Sequence, residues 1–91
     1  MLAGKKEIMT NHDFAAIAAV VLAGLGGREN VKSLDNCITR LRLVVEDEWK
    51  VDVDRIKSSG VAGVIRPSSA SVQVVVGTQV QFVADELRKL L

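Results

Sequence analysis

Across residues 39–45 the side chains alternate in character. Thr39, Leu41, Leu43 and Val45 fall on one side, and Arg40, Arg42 and Val44 fall on the other. A period of two marks a β-strand with one face turned to a core, and it sends both guanidinium groups to the opposite face. The residues just before it, Leu34-Asp35-Asn36-Cys37, include turn chemistry: Asp35 and Asn36 can bond nearby backbone and tolerate unusual dihedrals. The sole cysteine of the chain therefore sits on a turn that feeds a strand, with two permanent positive charges close by. Those charges favour the thiolate over the thiol. Together with free N–H groups of a turn, they also suit a dianionic phosphoryl group. On pattern alone the plainer alternative is a small buried cysteine beside a solvated arginine face.

Ninety-one residues, 48% of them hydrophobic, suffice for one domain with a modest core. A formal charge of +1 argues against a general nucleic-acid binder, which needs a basic face. Three aromatics, Phe14, Trp49 and Phe82, offer no stacking platform for single strands. One cysteine permits no internal disulfide, and with His12 as the lone histidine no conventional zinc site is expected. A cytoplasmic location keeps such a thiol reduced. The opening Met-Leu-Ala-Gly-Lys-Lys-Glu lacks the apolar stretch of a signal peptide. Residues 1–11 read as a flexible tail or interdomain linker, and residues 12–91 as the domain.

Helical character begins near Asn11, with Asn11 or Asp13 as the cap and an alanine-rich run from Phe14. Gly24, Gly26 and Gly27 end it. The apolar run of residues 14–25 is shorter than the roughly 20 residues needed to cross a bilayer. It reads as a helix laid on a sheet, with a docking face as the alternative. Gly24-x-Gly26-Gly27 is not read as a phosphate loop, because a helix precedes it and no Lys-Ser/Thr pair follows.

Residues 30–34 read as a first strand and 39–45 as the second. Glu46-Asp47-Glu48 reads as a solvated acidic turn. Asp52 is placed to cap a short helix reaching about Ser59, with Gly60 at its end. Gly60 and Gly63 match the spacing of a KH clamp, but residues 61–65 read as a strand and exclude it. Pro67 and its serines are expected to form the turn into a strand over residues 71–76. Thr78 with Gln81 has capping-box spacing at the start of the last helix. Val80, Val83, Ala84, Leu87, Leu90 and Leu91 make its apolar stripe. The order is α-β-β-α-β-β-α. Short links within each strand pair predict an α+β fold, a four-stranded antiparallel sheet with three helices on one face.

Cys37-Ile38-Thr39-Arg40-Leu41-Arg42, preceded by Gly26-Gly27-Arg28-Glu29-Asn30-Val31 and Leu34-Asp35, resembles the signature of enzyme IIB domains of the bacterial phosphoenolpyruvate-dependent sugar phosphotransferase system, glucose/N-acetylglucosamine type. The likeness continues through Gly60-Val61-Ala62-Gly63-Val64-Ile65 and Val72-Gln73-Val74-Val75-Val76-Gly77-Thr78 and spans roughly residues 14–91. Two departures stand out: Asn36 replaces a common alanine, and the 66–71 turn is longer than the usual glycine-rich one.

The resemblance implies a four-stranded antiparallel sheet carrying three helices on one side, with Cys37 exposed at an edge. It also implies a phosphotransferase relay. Cys37 accepts a phosphoryl group from phosphohistidine on enzyme IIA and gives it to a hexose or amino sugar imported through membrane enzyme IIC. Arg40 and Arg42 match the family's two arginines and would carry phosphate and transition-state charge, as planar forks do. Backbone groups from Ile38 to Arg40 and the Thr39 hydroxyl complete the phosphate cradle, and Asp35 supports the turn. No cofactor or metal is implied, since the arginines supply the charge. An apolar rim of Ile38, Val44 and Val64 is expected for docking IIA. The isolated domain is expected to be a monomer at the inner face of the bacterial plasma membrane, with fusion to IIC and a free-standing chain both fitting the tail. Two rivals stand beside this reading: a cysteine phosphatase, whose loop has five residues between cysteine and arginine and a helix after them, and a regulatory or redox module built on one reactive thiol.

Overall fold

The computed structural model describes residues 13–91. The expected tail, the Asn11 cap and His12 lie outside them. Helix α1, Phe14–Gly24, starts where Asp13 Oδ1 accepts from the Ala16 N–H at 3.0 Å. It ends in a turn where the Gly27 N–H donates to the Leu22 carbonyl at 3.0 Å and Gly26 and Gly27 hold φ of 101° and 91°. Only glycine enters that backbone region without steric cost. Ala18, Val21 and Gly24 face inward, while Ala15, Ala16, Ala19 and Ala23 face solvent. The uniform apolarity of this segment is therefore alanine on the wet side.

A single 3₁₀ turn, Arg28–Asn30, then leads into β1, Val31–Asn36. The first strand thus lies one residue later at its start than expected and two later at its end. Asn30 is the reason for the shifted start. It is buried, and its amide donates to the Leu25 carbonyl at 2.7 Å and the Asp47 carbonyl at 3.0 Å, while its Oδ1 accepts from the Asp47 N–H at 2.8 Å. One polar side chain so joins the end of α1 to the chain at Asp47. Its donors and acceptor are matched, which is the condition for burying an amide.

Strand β2, Arg40–Val45, pairs with β1 on one side and with β4, Ser71–Val75, on the other; β3, Gly63–Ser68, closes the order β1-β2-β4-β3. All three pairings are antiparallel. Leu41, Leu43, Val45, Val72 and Val74 are buried against Ala18, Val21, Leu25, Ile56, Val83, Ala84 and Leu87 from the helices. Arg40, Arg42 and Val44 are exposed on the opposite, helix-free face. The fold is the α+β sheet with three helices on one side that the pattern of strands and helices implies.

Two expectations about the second hairpin are corrected. Pro67 lies within β3, and the turn is the two residues Ser69 and Ala70, with Ser68 and Ser71 paired across it. The connection is therefore tight, not long. Proline is admitted because β3 is an edge strand and its register shifts between Ile65 and Ser68, so no ladder donor is required there.

Helix α2, Val53–Lys57, is capped by Asp52, whose Oδ1 accepts from the Arg55 N–H at 3.1 Å. It crosses α1 at Gly24, where an added Cβ would stand 2.5 Å from Ile56 Cγ1. Helix α3, Val80–Leu90, begins at Gln79 without a side-chain cap. The capping box expected of Thr78 and Gln81 is not formed, because Gln81 turns to other partners. Val80, Val83, Ala84 and Leu87 are buried as expected, whereas Leu90 and Leu91 are exposed. The apolar stripe outlasts the packing by one turn.

Candidate phosphoryl-acceptor site

The connector between β1 and β2 is Cys37-Ile38-Thr39. Its geometry is set by three backbone hydrogen bonds. The Cys37 N–H donates to the Arg40 carbonyl at 2.9 Å, and the Thr39 carbonyl accepts from both the Val76 and Gly77 N–H groups at 2.9 Å. The turn is thus tied to the link between β4 and α3, where Gly77 holds φ of 109°. Asp35 Oδ1 accepts from the Asn36 N–H at 2.8 Å and closes the strand end just before the thiol.

The Cys37 thiol is held below the ordinary thiol range. The largest cause is the Thr39 N–H, then the Arg40 N–H; the charges of Arg42 and Arg40 add to these, and partial burial opposes them. The arginine charges act in the expected direction, and the turn's N–H groups come before them. Hydrogen bonds to the charged form act at contact distance, whereas charges at an exposed turn are screened by water. A thiolate accepting two N–H groups beside two guanidiniums is both a nucleophile and one corner of an anion cradle.

The structure brings Cys37, Thr39, Arg40 and Arg42 to one end of the sheet. Arg40 Nη1 donates to Gln73 Oε1 at 3.1 Å, so β4 orients its guanidinium across the helix-free face. Arg42 stands in register between Asp35 on β1 and Gln73 on β4. It lines a shallow depression of about 250 Å³ with Ser33, Asp35, Val44, Ser71 and Gln73. Cys37 does not line that depression, and on its turn it is half-buried, not exposed as expected. Ile38 extends 84% exposed from the same turn. Val44 lies on the helix-free face, but Val64 packs on the core and leaves the expected rim. Asn36 bonds nearby backbone as its turn chemistry suggests, its Nδ2 reaching the Cys37 carbonyl at 3.1 Å; two polar residues had no place in the sequence reading of the site, Gln73, which bonds Arg40, and Gln81, which meets Asn36 at 3.4 Å. The alternation of β4 placed Gln73 on the arginine face; no sequence signal joined residue 36 to residue 81. Among the described residues no three His, Cys, Asp or Glu side chains converge as a metal site.

Residues 19–52 match the family described as phosphotransferase system, EIIB. The N-acetylglucosamine-specific EIICB component of Bacillus subtilis is 48% identical over 69 residues, 76% of this chain and 15% of that protein. The maltose-specific EIICB component of Escherichia coli is 48% identical over 71 residues, 78% of this chain and 13% of that protein. The chain belongs to the EIIB family. Its branch is the glucose/N-acetylglucosamine type, and an EIIB domain is a phosphotransfer unit of sugar uptake. The crystal structure of one domain of the IIabc component from Clostridium difficile superposes with a TM-score of 0.78 at 28% identity, covering 87% of this chain and 83% of that one. The EIIB chain spans about one seventh of the curated relatives it matches, whose names join B to C components. No helix among its described residues is long and apolar enough to cross a membrane.

Proposed function

We propose that Cys37 is the relay residue of this EIIB domain, taking a phosphoryl group from phosphohistidine on an enzyme IIA. The thiolate attacks phosphorus, an S–P bond forms as the P–N bond breaks, and the histidine nitrogen leaves with the electron pair. A sugar hydroxyl oxygen next attacks phosphorus. The O–P bond forms, the S–P bond breaks, the hydroxyl proton passes to solvent or a partner base, and the thiolate is restored. Arg40 and Arg42 balance the charge on the phosphoryl oxygens, and the Thr39 and Arg40 N–H groups fill the rest of the cradle. Asp35 stiffens the strand end and takes no proton, because a thiolate needs no base.

The observation that carries this reading is the hydrogen-bonded turn that holds Cys37 at the head of β2, with both guanidiniums on that strand; the Thr39 and Arg40 N–H groups lower the thiol's pKa. A strand follows the cysteine, in contrast to the loop-then-helix arrangement of cysteine phosphatases. The acceptor is a hexose or amino sugar held by an enzyme IIC, fused in the native chain or separate. The named relatives act in N-acetylglucosamine, maltose and alpha-glucoside systems. The domain works as a monomer on the cytoplasmic side of the membrane.

The test is intact mass after incubation with phosphoenolpyruvate, enzyme I, the phosphocarrier protein and a glucose-family IIA. Wild type is expected to gain one phosphoryl group only when IIA is present, and Cys37→Ser to gain none. No gain by wild type with several active IIA proteins would remove the relay and favour a regulatory or redox role for the thiol.

A further inference from the structure

A polar chain runs from the last helix to the nucleophile turn. Asp85 Oδ1 accepts from Gln81 Nε2 at 2.9 Å, Gln81 Oε1 lies 3.4 Å from Asn36 Nδ2, and that same nitrogen is 3.1 Å from the Cys37 carbonyl oxygen. We propose that Asn36, steadied by Gln81 on α3, is a positioning residue that clamps the Cys37 carbonyl and so aims the turn at its own sulfur. The proposal rests on the reading of Cys37 as the relay residue.

The connector has three residues, and its chain direction is set by few groups. The Cys37 N–H is held by the Arg40 carbonyl and the Thr39 carbonyl by Val76 and Gly77. The Cys37 carbonyl is the remaining handle on the peptide that leads into Ile38, and Asn36 takes it. With both ends of the nucleophile residue held, the Thr39 and Arg40 N–H groups stay on the sulfur side of the turn. A clamp of this kind acts through orientation, because an amide whose parts are misaimed loses hydrogen-bond strength steeply. Gln81 is exposed and its contact is the longer one, so its influence passes through Asn36 and is smaller.

Asn36 and Gln81 are both neutral. The charged groups around the thiol are Arg40 and Arg42 on β2, Asp35 on β1 and, at the far end of the chain, Asp85 on α3. Alanine at 36 or 81 leaves all four in place. A change in thiol acidity in those variants therefore reports geometry, not charge.

The experiment is the rate of alkylation by iodoacetamide against pH, on the whole chain. It compares wild type, Asn36→Ala, Gln81→Ala and the double variant, each checked for folding by circular dichroism and melting. Asn36→Ala is expected to raise the pH midpoint and slow alkylation at neutral pH by about threefold to tenfold. Gln81→Ala is expected to slow it about twofold, and the double variant to match Asn36→Ala alone, since Gln81 acts through Asn36. Should Asn36→Ala fold poorly, Gln81→Ala still decides, because it sits on an exposed helix position. A folded Asn36→Ala with the wild-type profile would overturn the proposal, as would a Gln81→Ala effect of equal size with and without Asn36. Alkylation needs no partner protein. A failure of phosphoryl transfer in wild type would thus strike the relay reading while the clamp is judged on the thiol alone.

Discussion

The sheet contains two hairpins of the same topology, and their turns lie at opposite ends of it. The β1–β2 turn carries Cys37, Ile38 and Thr39; the β3–β4 turn is Ser69 and Ala70. Both are short, and both hairpins bury one face of a central strand, with Leu41 of β2 opposite Val74 of β4. They differ in what the turn's N–H groups face. The second is fastened by the Val45 N–H to the Ala70 carbonyl at 2.8 Å and by Arg66 Nη2 to the Ser69 carbonyl at 3.1 Å. Those bonds use carbonyls and leave no N–H pair facing a nucleophile. The first uses its carbonyls in the same way, on Val76, Gly77 and Asn36, and directs two N–H groups at a sulfur. A hairpin turn becomes a reactive site when the neighbouring chain takes up its acceptors and its donors remain for an anion.

The sharpest way to break that contrast is to insert two glycines at each turn. Between Ile38 and Thr39 the insertion should abolish phosphoryl gain on intact mass, because the N–H groups no longer face the sulfur. Next in size, Arg42→Gln and Arg40→Gln should each slow phosphoryl transfer about 100-fold or more in rapid-quench assays, as loss of a preorganised charge donor does. The two should separate in thiol acidity. The reactive form is the thiolate, so removing a positive charge raises the pH midpoint of alkylation and slows it at neutral pH. Arg42→Gln should move that midpoint further, since its charge acts more strongly on Cys37 and Arg40→Gln keeps the residue 40 N–H. Both shifts should be small, because each variant keeps the Thr39 and residue 40 N–H groups; a large shift in either would show that the side chains, not the backbone cradle, set the acidity.

Leu41→Ala tests whether core and chemistry are separable on one strand. It should destabilise the fold by about 2–5 kcal/mol in urea titrations. Below the unfolding midpoint the remaining folded protein should alkylate with the wild-type pH profile. The smallest effect is expected from two glycines between Ser69 and Ala70. Lengthening that loop should cost about 1 kcal/mol or less and leave phosphoryl transfer unchanged. A large loss of transfer there would mean that the far turn also positions the site.

Some of the molecule was legible before any coordinates. The alternation in residues 39–45 assigned Leu41, Leu43 and Val45 to the core and both arginines to the open face, because a pleated strand has no other way to place them. Asp13 and Asp52 were readable as caps because capping is a contact three residues long. The stop at Gly26 and Gly27 followed from the positive φ that a helix end demands. These are local rules, and Cys37 lies within six residues of both arginines, so the resemblance to the EIIB signature was written in one short stretch.

Tertiary structure decided whatever depends on a partner far along the chain. Asn30 reads as a strand residue until Asp47 and Leu25 arrive to satisfy its amide. Gln81 has the spacing of a capping residue, yet Asn36 draws its oxygen across 45 positions. Pro67 reads as a turn residue and is a strand residue because β3 is an edge with a shifted register. Leu90 and Leu91 follow the helical stripe but lie beyond what the core covers. In each case a polar or apolar group has several local options of similar free energy, and the group brought beside it by folding chooses among them.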